Sequence, residues 1–129
     1  EGAMEEYNAT KGEKLAEIAL KNKEPKSTSY CAKYVKKAIQ EAGLGKYKLG
    51  DAYKMPTILK DNKNFKQISP EGVDISTLPA GCILVYGKGV EGFSPKYGHT
   101  EITLGNGNAV SDFENKNIYK KPSYIYIPV

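Results

Sequence analysis

Cys31 and His99 are the two residues of this 129-residue sequence whose side chains could do covalent chemistry together. Cys31 follows the hydroxylated run 27–29, which could cap a helix, and it opens a segment with helical spacing. A thiol in the first helical turn is favoured as thiolate by the helix dipole and the backbone N–H groups, and the same groups can hold a developing oxyanion. The alternative is a core thiol, because free cysteine is among the most buried residue types.

His99 is the only histidine, and the pattern of its predicted strand says where it points. In "HTEITLG", Ile102 and Leu104 alternate on one face, which is naturally the core face. His99 and Glu101 therefore point to the opposite face. We predict that the imidazole faces a groove rather than filling the core.

Asp112 is the acid that we predict to orient this imidazole. Asn106-Gly107 is a strong hairpin signal, and a two-residue turn or a four-residue loop there gives the same register. Glu101 then lies opposite Asp112, and Asp112 is one diagonal step, roughly 7 Å, from His99. We keep Glu101 as the reserve acid and Asn115 as a weaker candidate. The alternative for Asp112 is a solvated strand residue.

These three residues together predict amide hydrolysis through an acyl-enzyme. Cys31 attacks the carbonyl as thiolate, His99 holds it as an ion pair and protonates the leaving amine, and Asp112 orients His99. The second cysteine, Cys82, lies in the apolar run "AGCILVY", a predicted core strand, where low polarity would leave a thiol inert. We expect both cysteines to be reduced.

The elements that must position these residues are helices first and strands afterwards, which predicts an α+β fold with N-terminal helices packed on a C-terminal antiparallel sheet. Helices are predicted in "ATKGEKLAEIALKNKEP", with Thr10 and Glu13 as a capping box, in "CAKYVKKAIQEAG", and briefly in "DAYKMPTILKDN". Strands are predicted in "NFKQIS", "CILVYG", "HTEITLG", "NAVSDF" and "SYIYIPV". We expect a single domain over 1–129, with 1–9 as a flexible tail or a cloning remnant.

Composition excludes several classes of protein. With 40% apolar and 26% charged residues, the chain resembles an ordinary globular domain. No apolar run approaches the roughly 18 residues of a membrane span, and the N-terminus shows no secretory signal. One histidine and two separated cysteines make no zinc set, so we expect no metal and no cofactor. The charge of +4 is spread over scattered lysines, and no nucleic-acid motif is present.

The segments "CAKYVKKAIQEAG", "PAGCILVYG", "GHTEI" and "AVSDF" resemble those of the CHAP and NlpC-like papain-fold amidases, bacterial enzymes that cut peptidoglycan. With the terminal "PSYIYIP", they look most like the small amidase effectors that bacteria inject into rivals by type VI secretion. The resemblance spans 27–128 and falls on Cys31, His99 and Asp112. It implies a papain-like fold, peptidoglycan stem peptides as substrate, the periplasm or cell wall of a target bacterium as destination, and an inhibitory immunity protein as partner. We expect a monomer.

The sequence is also compatible with other functions. A cell-wall remodelling enzyme or a phage-type lysin would use the same site. A cysteine peptidase or deamidase of this fold would act on a protein instead. A non-enzymatic, basic binding module could stack bases on tyrosines such as Tyr30 and Tyr34, but the lysines do not gather around those tyrosines.

Overall fold

Three α-helices and a six-stranded antiparallel sheet form the fold of residues 2–129, the part of the chain that the computed structural model describes. The helices are α1 (Ala9–Asn22), α2 (Cys31–Glu41) and α3 (Met55–Leu59). The strands are β1 (Phe65–Ile68), β2 (Ile83–Tyr86), β3 (His99–Thr103), β4 (Ala109–Val110), β5 (Glu114–Asn115) and β6 (Tyr124–Pro128). Their order in the sheet is β1-β6-β2-β3-β4-β5, and all neighbours are antiparallel. The predicted α+β class is confirmed.

Apolar side chains pack on both faces of the sheet, because residues alternate along each strand. The helix-side core joins the helices to one face and contains Leu15, Val35, Ala38, Ile39, Met55, Ile83, Val85, Ile102 and Val110. The loop-side core lies on the other face, partly under the connecting segments, and contains Ile75, Leu78, Cys82, Leu84, Tyr86, Ile118, Ile125 and Ile127. All four residues of β2 are buried, as the continuous apolar run predicted.

The predicted direction of the His99 side chain is confirmed by the pairing of β3 with β2. His99 pairs with Tyr86, and Tyr86 belongs to the loop-side core. Ile102 pairs with Ile83, and both belong to the helix-side core. Directly paired residues share a face of the sheet, so His99 points away from the face that α2 covers with its apolar stripe.

The register of the β3–β4 hairpin differs by one residue from the prediction. Ile102 pairs with Val110, and the Leu104 N–H donates to the Asn108 carbonyl at 2.9 Å. The loop is therefore the three residues 105–107, rather than a two-residue turn or a four-residue loop.

The cause is the backbone of the two loop glycines. Gly105 and Gly107 both adopt positive φ, at 84° and 88°, and glycine reaches this region at little cost. The turn thus uses one residue more than a two-residue turn at Asn106-Gly107. A slip of one residue exchanges the faces of a strand, so the predicted pairing of Glu101 with Asp112 is wrong.

The start of α1 also differs from the predicted capping box. The N-cap is Asn8, whose side chain accepts a hydrogen bond of 3.0 Å from the Lys11 N–H. Thr10 already lies inside the helix. Asparagine is among the best N-cap residues, so Asn8 takes the position that we assigned to Thr10.

The segment 1–9, which we expected to be a flexible tail or a cloning remnant, contacts the domain from Met4 onward. Residues 2–6 form a short 3-10 helix, and Met4 and Tyr7 pack against the loop-side core. The Tyr7 hydroxyl donates to the Ala80 carbonyl at 2.6 Å. For Glu1 the expectation lies outside the described residues. No helix within residues 2–129 has both the length and the apolar character needed to cross a bilayer.

Candidate active site

Cys31, His99, Glu101 and Asp112 all line one open groove of about 660 Å³. Its walls come from the loop before α2, the start of β3, the loop that carries Phe93, and the segment 113–120. The sequence therefore identified residues that the fold brings to one place, although 68 positions separate Cys31 from His99 in the sequence.

Cys31 is the first residue of α2 and is partly exposed in the groove. The N-cap is Tyr30, with φ of −115° and ψ of 42°, and its side chain makes no capping hydrogen bond. The first-turn N–H groups of α2 therefore have no side-chain cap from Tyr30, and Cys31 is the residue that begins this turn. Such N–H groups stabilise negative charge at a helix N-terminus.

The hydroxyl groups of the run 27–29 do not cap α2, contrary to the prediction. The Ser27 hydroxyl accepts from the Ser29 N–H at 3.4 Å, and the Thr28 hydroxyl accepts from the Tyr30 N–H at 3.3 Å. Ser29 adopts a positive φ of 69°. These bonds shape a tight turn that delivers the chain to Cys31 and leaves the helix N-terminus uncapped.

Asp112 holds this turn in place. One carboxylate oxygen, Oδ2, accepts from the Thr28 N–H at 2.5 Å and from the Thr28 hydroxyl at 2.9 Å. The other, Oδ1, accepts from the Ser111 hydroxyl at 2.9 Å. The Asp112 carbonyl accepts from the Glu24 N–H at 2.6 Å. Burial alone raises the pKa of Asp112, but the bonds from Thr28 and Ser111 outweigh it and lower that pKa below its ordinary value.

The residue before His99, Gly98, occupies a backbone position that requires glycine. Gly98 has a φ of 70°, and a Cβ atom there would lie 2.4 Å from the Tyr86 carbonyl oxygen. Any other residue would therefore clash with the neighbouring strand in addition to the strain of positive φ. The Gly98 backbone therefore packs closely against Tyr86 of β2, and β3 begins at the next residue, His99.

Aromatic rings hold the imidazole plane. The Phe93 ring stacks on His99 with centroids 4.2 Å apart and an interplanar angle of 7°. The Tyr86 ring lies 5.8 Å from the imidazole and 4.6 Å from Phe93. Offset or parallel stacking restricts ring rotation, so the two imidazole nitrogens point in defined directions.

Glu101 is the carboxylate that contacts the imidazole. Its Oε1 atom lies 2.9 Å from His99 Nε2 and also accepts from Asn115 Nδ2 at 3.3 Å. Glu101 is only 1% exposed. A buried carboxylate needs partners of this kind, and it is Glu101, the reserve acid, that contacts the imidazole. Asn115, the weaker candidate, joins the same group.

The pKa of His99 is raised from 6.5 to about 9. Burial by itself lowers this pKa, but the interactions of the ring with Cys31 and with the Glu101 carboxylate, which accepts its hydrogen bond, outweigh burial and raise it. The imidazole is therefore positively charged at neutral pH. Since Glu101 contacts Nε2, Nδ1 is the ring nitrogen that Glu101 leaves free.

The structure thus places Cys31, His99 and Glu101 in one groove with Glu101 in contact with the imidazole, while the side chain of Asp112 binds Thr28 and Ser111. Cys82, in contrast, is completely buried immediately before β2, and burial raises its pKa to about 12. Neither cysteine forms a disulfide. Among residues 2–129, no group of three His, Cys, Asp or Glu side chains is placed to hold a metal ion.

Phe93 was missed by the sequence analysis. It lies in the glycine- and proline-containing loop before β3, which carries no periodic pattern. The adjacent aromatic and glycine residues in "GFSPKYGH" are the one signal that could have suggested a ring near His99. Glu101 was visible from strand parity, because residues i and i+2 share a face.

The fold resembles solved structures of a type VI secretion effector complex. One is the native effector–immunity complex Tae3-Tai3 from Ralstonia pickettii, matched with a TM-score of 0.66 and 24% identity over 89% of this chain and 95% of that one. The chain has the fold of the Tae3 effector. The selenomethionine form of the complex matches with a TM-score of 0.61 and 26% identity, over 89% of this chain and 99% of that one. No family model and no curated protein matches the sequence.

Proposed function

We propose that this protein is a cysteine amidase that hydrolyses an amide bond in peptidoglycan stem peptides, delivered as an antibacterial effector. The observation that carries the proposal is the grouping of a partly exposed thiol at a helix N-terminus, an imidazole with a raised pKa and a buried carboxylate. All three lie in an open groove. The fold of a type VI effector supports this reaction class over a binding module.

In the acylation step, the Cys31 thiolate attacks the carbonyl carbon of the scissile amide, and a carbon–sulfur bond forms. The charge on the carbonyl oxygen is stabilised by the first-turn N–H groups of α2. The amide C–N bond then breaks, and His99 transfers the Nδ1 proton to the leaving nitrogen. The products are a free amine and a thioester on Cys31.

In the deacylation step, neutral His99 accepts a proton from water, and the hydroxide attacks the thioester carbonyl. The carbon–sulfur bond breaks and releases the carboxylic acid product. The Cys31 thiolate and the His99 imidazolium are restored together. The groove is open to solvent at Cys31, so water can reach the thioester once the amine has left.

Glu101 takes the orienting role that we first assigned to Asp112. Its contact with Nε2 keeps Nδ1 directed at the sulfur, and its negative charge stabilises the imidazolium. Asn115 supports Glu101 from β5. Asp112 acts one step further away, because it holds the turn that delivers Cys31.

The comparison also supports delivery and a partner. The matched structures are named as complexes of a type VI effector with its immunity protein. We propose that this chain is likewise delivered into a target bacterium, acts at its cell wall, and is inhibited in the producing cell by an immunity protein. The open groove around Cys31 is the surface that such an inhibitor would have to block.

The test is digestion of purified peptidoglycan, followed by mass spectrometry of the released muropeptides. The wild-type protein should produce fragments with a new amine and a new carboxylate, and Cys31→Ala should produce none. Lys37→Ala is a matched control, because Lys37 is an exposed residue further along the same helix. Circular dichroism should show that all three proteins fold alike.

Two results would overturn the proposal. Equal release by Cys31→Ala and wild type would exclude Cys31 as nucleophile. Intact peptidoglycan together with a cleaved or deamidated protein, in an assay on bacterial lysate, would favour the cysteine peptidase or deamidase alternative.

A further inference from the structure

Lys120 is held beside the proposed catalytic imidazole by two contacts. Its Nζ atom lies 4.7 Å from the centroid of the Phe93 ring, the ring that stacks on His99. Its carbonyl oxygen accepts a hydrogen bond of 2.6 Å from the Tyr86 hydroxyl. Tyr86 is the strand partner of His99. The position of the ammonium group is therefore set by the same aromatic residues that position the imidazole.

This ammonium group has no acidic partner among the described residues. The three ion pairs in that part of the chain are Lys66–Glu6, His99–Glu101 and Lys121–Glu71. Lys120 is partly buried and lines the groove. The contrast with its neighbour is direct, because the Lys121 ammonium lies 2.7 Å from a Glu71 carboxylate oxygen.

The groove itself offers no carboxylate to Lys120. It is lined by two acids, Glu101 and Asp112. Glu101 is bound by His99 and Asn115, and Asp112 is bound by Thr28 and Ser111 as described above. Together with the charged imidazole, Lys120 makes this wall of the groove positive.

We propose that Lys120 is a specificity-determining residue that binds a carboxylate of the substrate next to the scissile amide. An ammonium group held over an aromatic face and partly removed from water attracts a carboxylate more strongly than an exposed lysine does. The Phe93 ring supplies an apolar surface for the methylene groups between that carboxylate and the scissile bond. The inference rests on the proposed function for the reaction and adds the chemical class of group that the groove selects.

The experiment compares two forms of one substrate. Soluble muropeptides are used either with free carboxylates or after conversion of those carboxylates to carboxamides with carbodiimide and ammonia. We expect wild type to cleave the free form with a kcat/KM about 10-fold higher than that of the amidated form. This factor lies between the effect of an exposed ion pair and that of a buried charge-assisted hydrogen bond. Lys120→Met should lose this factor on the free form and keep its rate on the amidated form.

Lys121→Met is the matched control, because Lys121 pairs with Glu71 instead of lining the groove. It should keep the wild-type preference. A second measurement follows the C2–H signal of His99, the only histidine, in the Cys31→Ala protein. Free muropeptides should shift this signal at lower concentration than amidated ones, and Lys120→Met should remove the difference.

The outcomes separate the two proposals. If wild type cleaves neither form, the proposed function fails. If wild type cleaves both forms equally, or if Lys120→Met keeps the preference, the carboxylate subsite is wrong while the amidase proposal stands. A change in the His99 pKa in Lys120→Met, with equal loss on both substrates, would show that Lys120 tunes the imidazole and would also overturn the subsite.

Discussion

Glu101 Oε1 lies 2.9 Å from His99 Nε2, and both residues belong to the short strand β3. Residues two apart on a strand share a face, so β3 by itself supplies the imidazole and its acid. Asn115 on β5 also donates a hydrogen bond to Glu101 Oε1. A pair built into one strand needs no long-range folding accuracy to keep its geometry.

Glu101→Gln tests whether this pair positions the proposed general acid. The change removes the negative charge and keeps the size of the side chain, so the pKa of His99 should fall from about 9 toward its ordinary value. Activity on peptidoglycan should fall by about 100-fold or more. Both are measurable on one protein, by NMR titration of the single histidine and by kcat/KM. An unchanged His99 titration would refute the role.

Asp112→Ala should behave differently, because Asp112 contacts the turn before Cys31. Loss of three accepted hydrogen bonds leaves the Thr28 N–H without its partner and should lower the free energy of unfolding by about 2 kcal/mol. Activity should fall because the position of Cys31 loosens, while the His99 pKa stays near 9. Urea unfolding and NMR titration measure the two effects.

The contribution of Asp112 to the free energy of unfolding should disappear at acidic pH. The pKa of folded Asp112 is lowered, so its stabilising effect is complete above the ordinary carboxyl pKa and is lost as the pH falls through the lowered value. Wild type and Asp112→Ala should therefore converge in stability at strongly acidic pH. A His99 pKa that drops in Asp112→Ala but not in Glu101→Gln would restore Asp112 as the orienting acid.

Activity should be lost at alkaline pH, where His99 loses its positive charge. In the proposed mechanism the imidazolium pairs with the thiolate and protonates the leaving amine, and the contacts of His99 raise its pKa to about 9. We expect kcat/KM to fall about tenfold per pH unit above that value. The NMR midpoint of His99 in the free protein should coincide with the alkaline limb. A midpoint near 6.5 would contradict the contacts that raise this pKa.

The two cysteines supply an internal control for thiol reactivity. Cys31 is partly exposed in the groove, whereas Cys82 is completely buried with a pKa of about 12. Iodoacetamide near neutral pH should label Cys31 alone, as read by peptide mass spectrometry, and Cys82 only after denaturation. His99→Ala should slow the labelling of Cys31. Preferential labelling of Cys82 in the folded protein would exclude the proposed nucleophile.

Much of the site could be predicted from local patterns. Apolar spacing in "CAKYVKKAIQEAG" indicated the helix that Cys31 begins, and alternation in "HTEITLG" indicated the face that His99 and Glu101 share. Both predictions use the spacing of apolar residues, which repeats every 3.6 residues in a helix and every 2 residues in a strand and can be recognised within a few neighbouring residues. The structure agrees with both.

The acid was misassigned because its choice depended on a turn length. Asn106-Gly107 indicates a hairpin, but the number of residues in the loop depends on the φ values that Gly105 and Gly107 adopt. One added residue shifts the register of β4 and places Asp112 against a turn 84 positions earlier in the chain. Local sequence preference does not encode that contact.

Taken by itself, the sequence determined the α+β class, the two residues that we propose to react and the face of the sheet from which the imidazole points. The tertiary structure decided which carboxylate contacts His99, which ring stacks on it, and that the Lys120 ammonium lies over that ring. The physical reason is range. Periodic burial is decided between near neighbours, whereas the groove forms where distant loops and strand ends meet, at distances that depend on every turn between them.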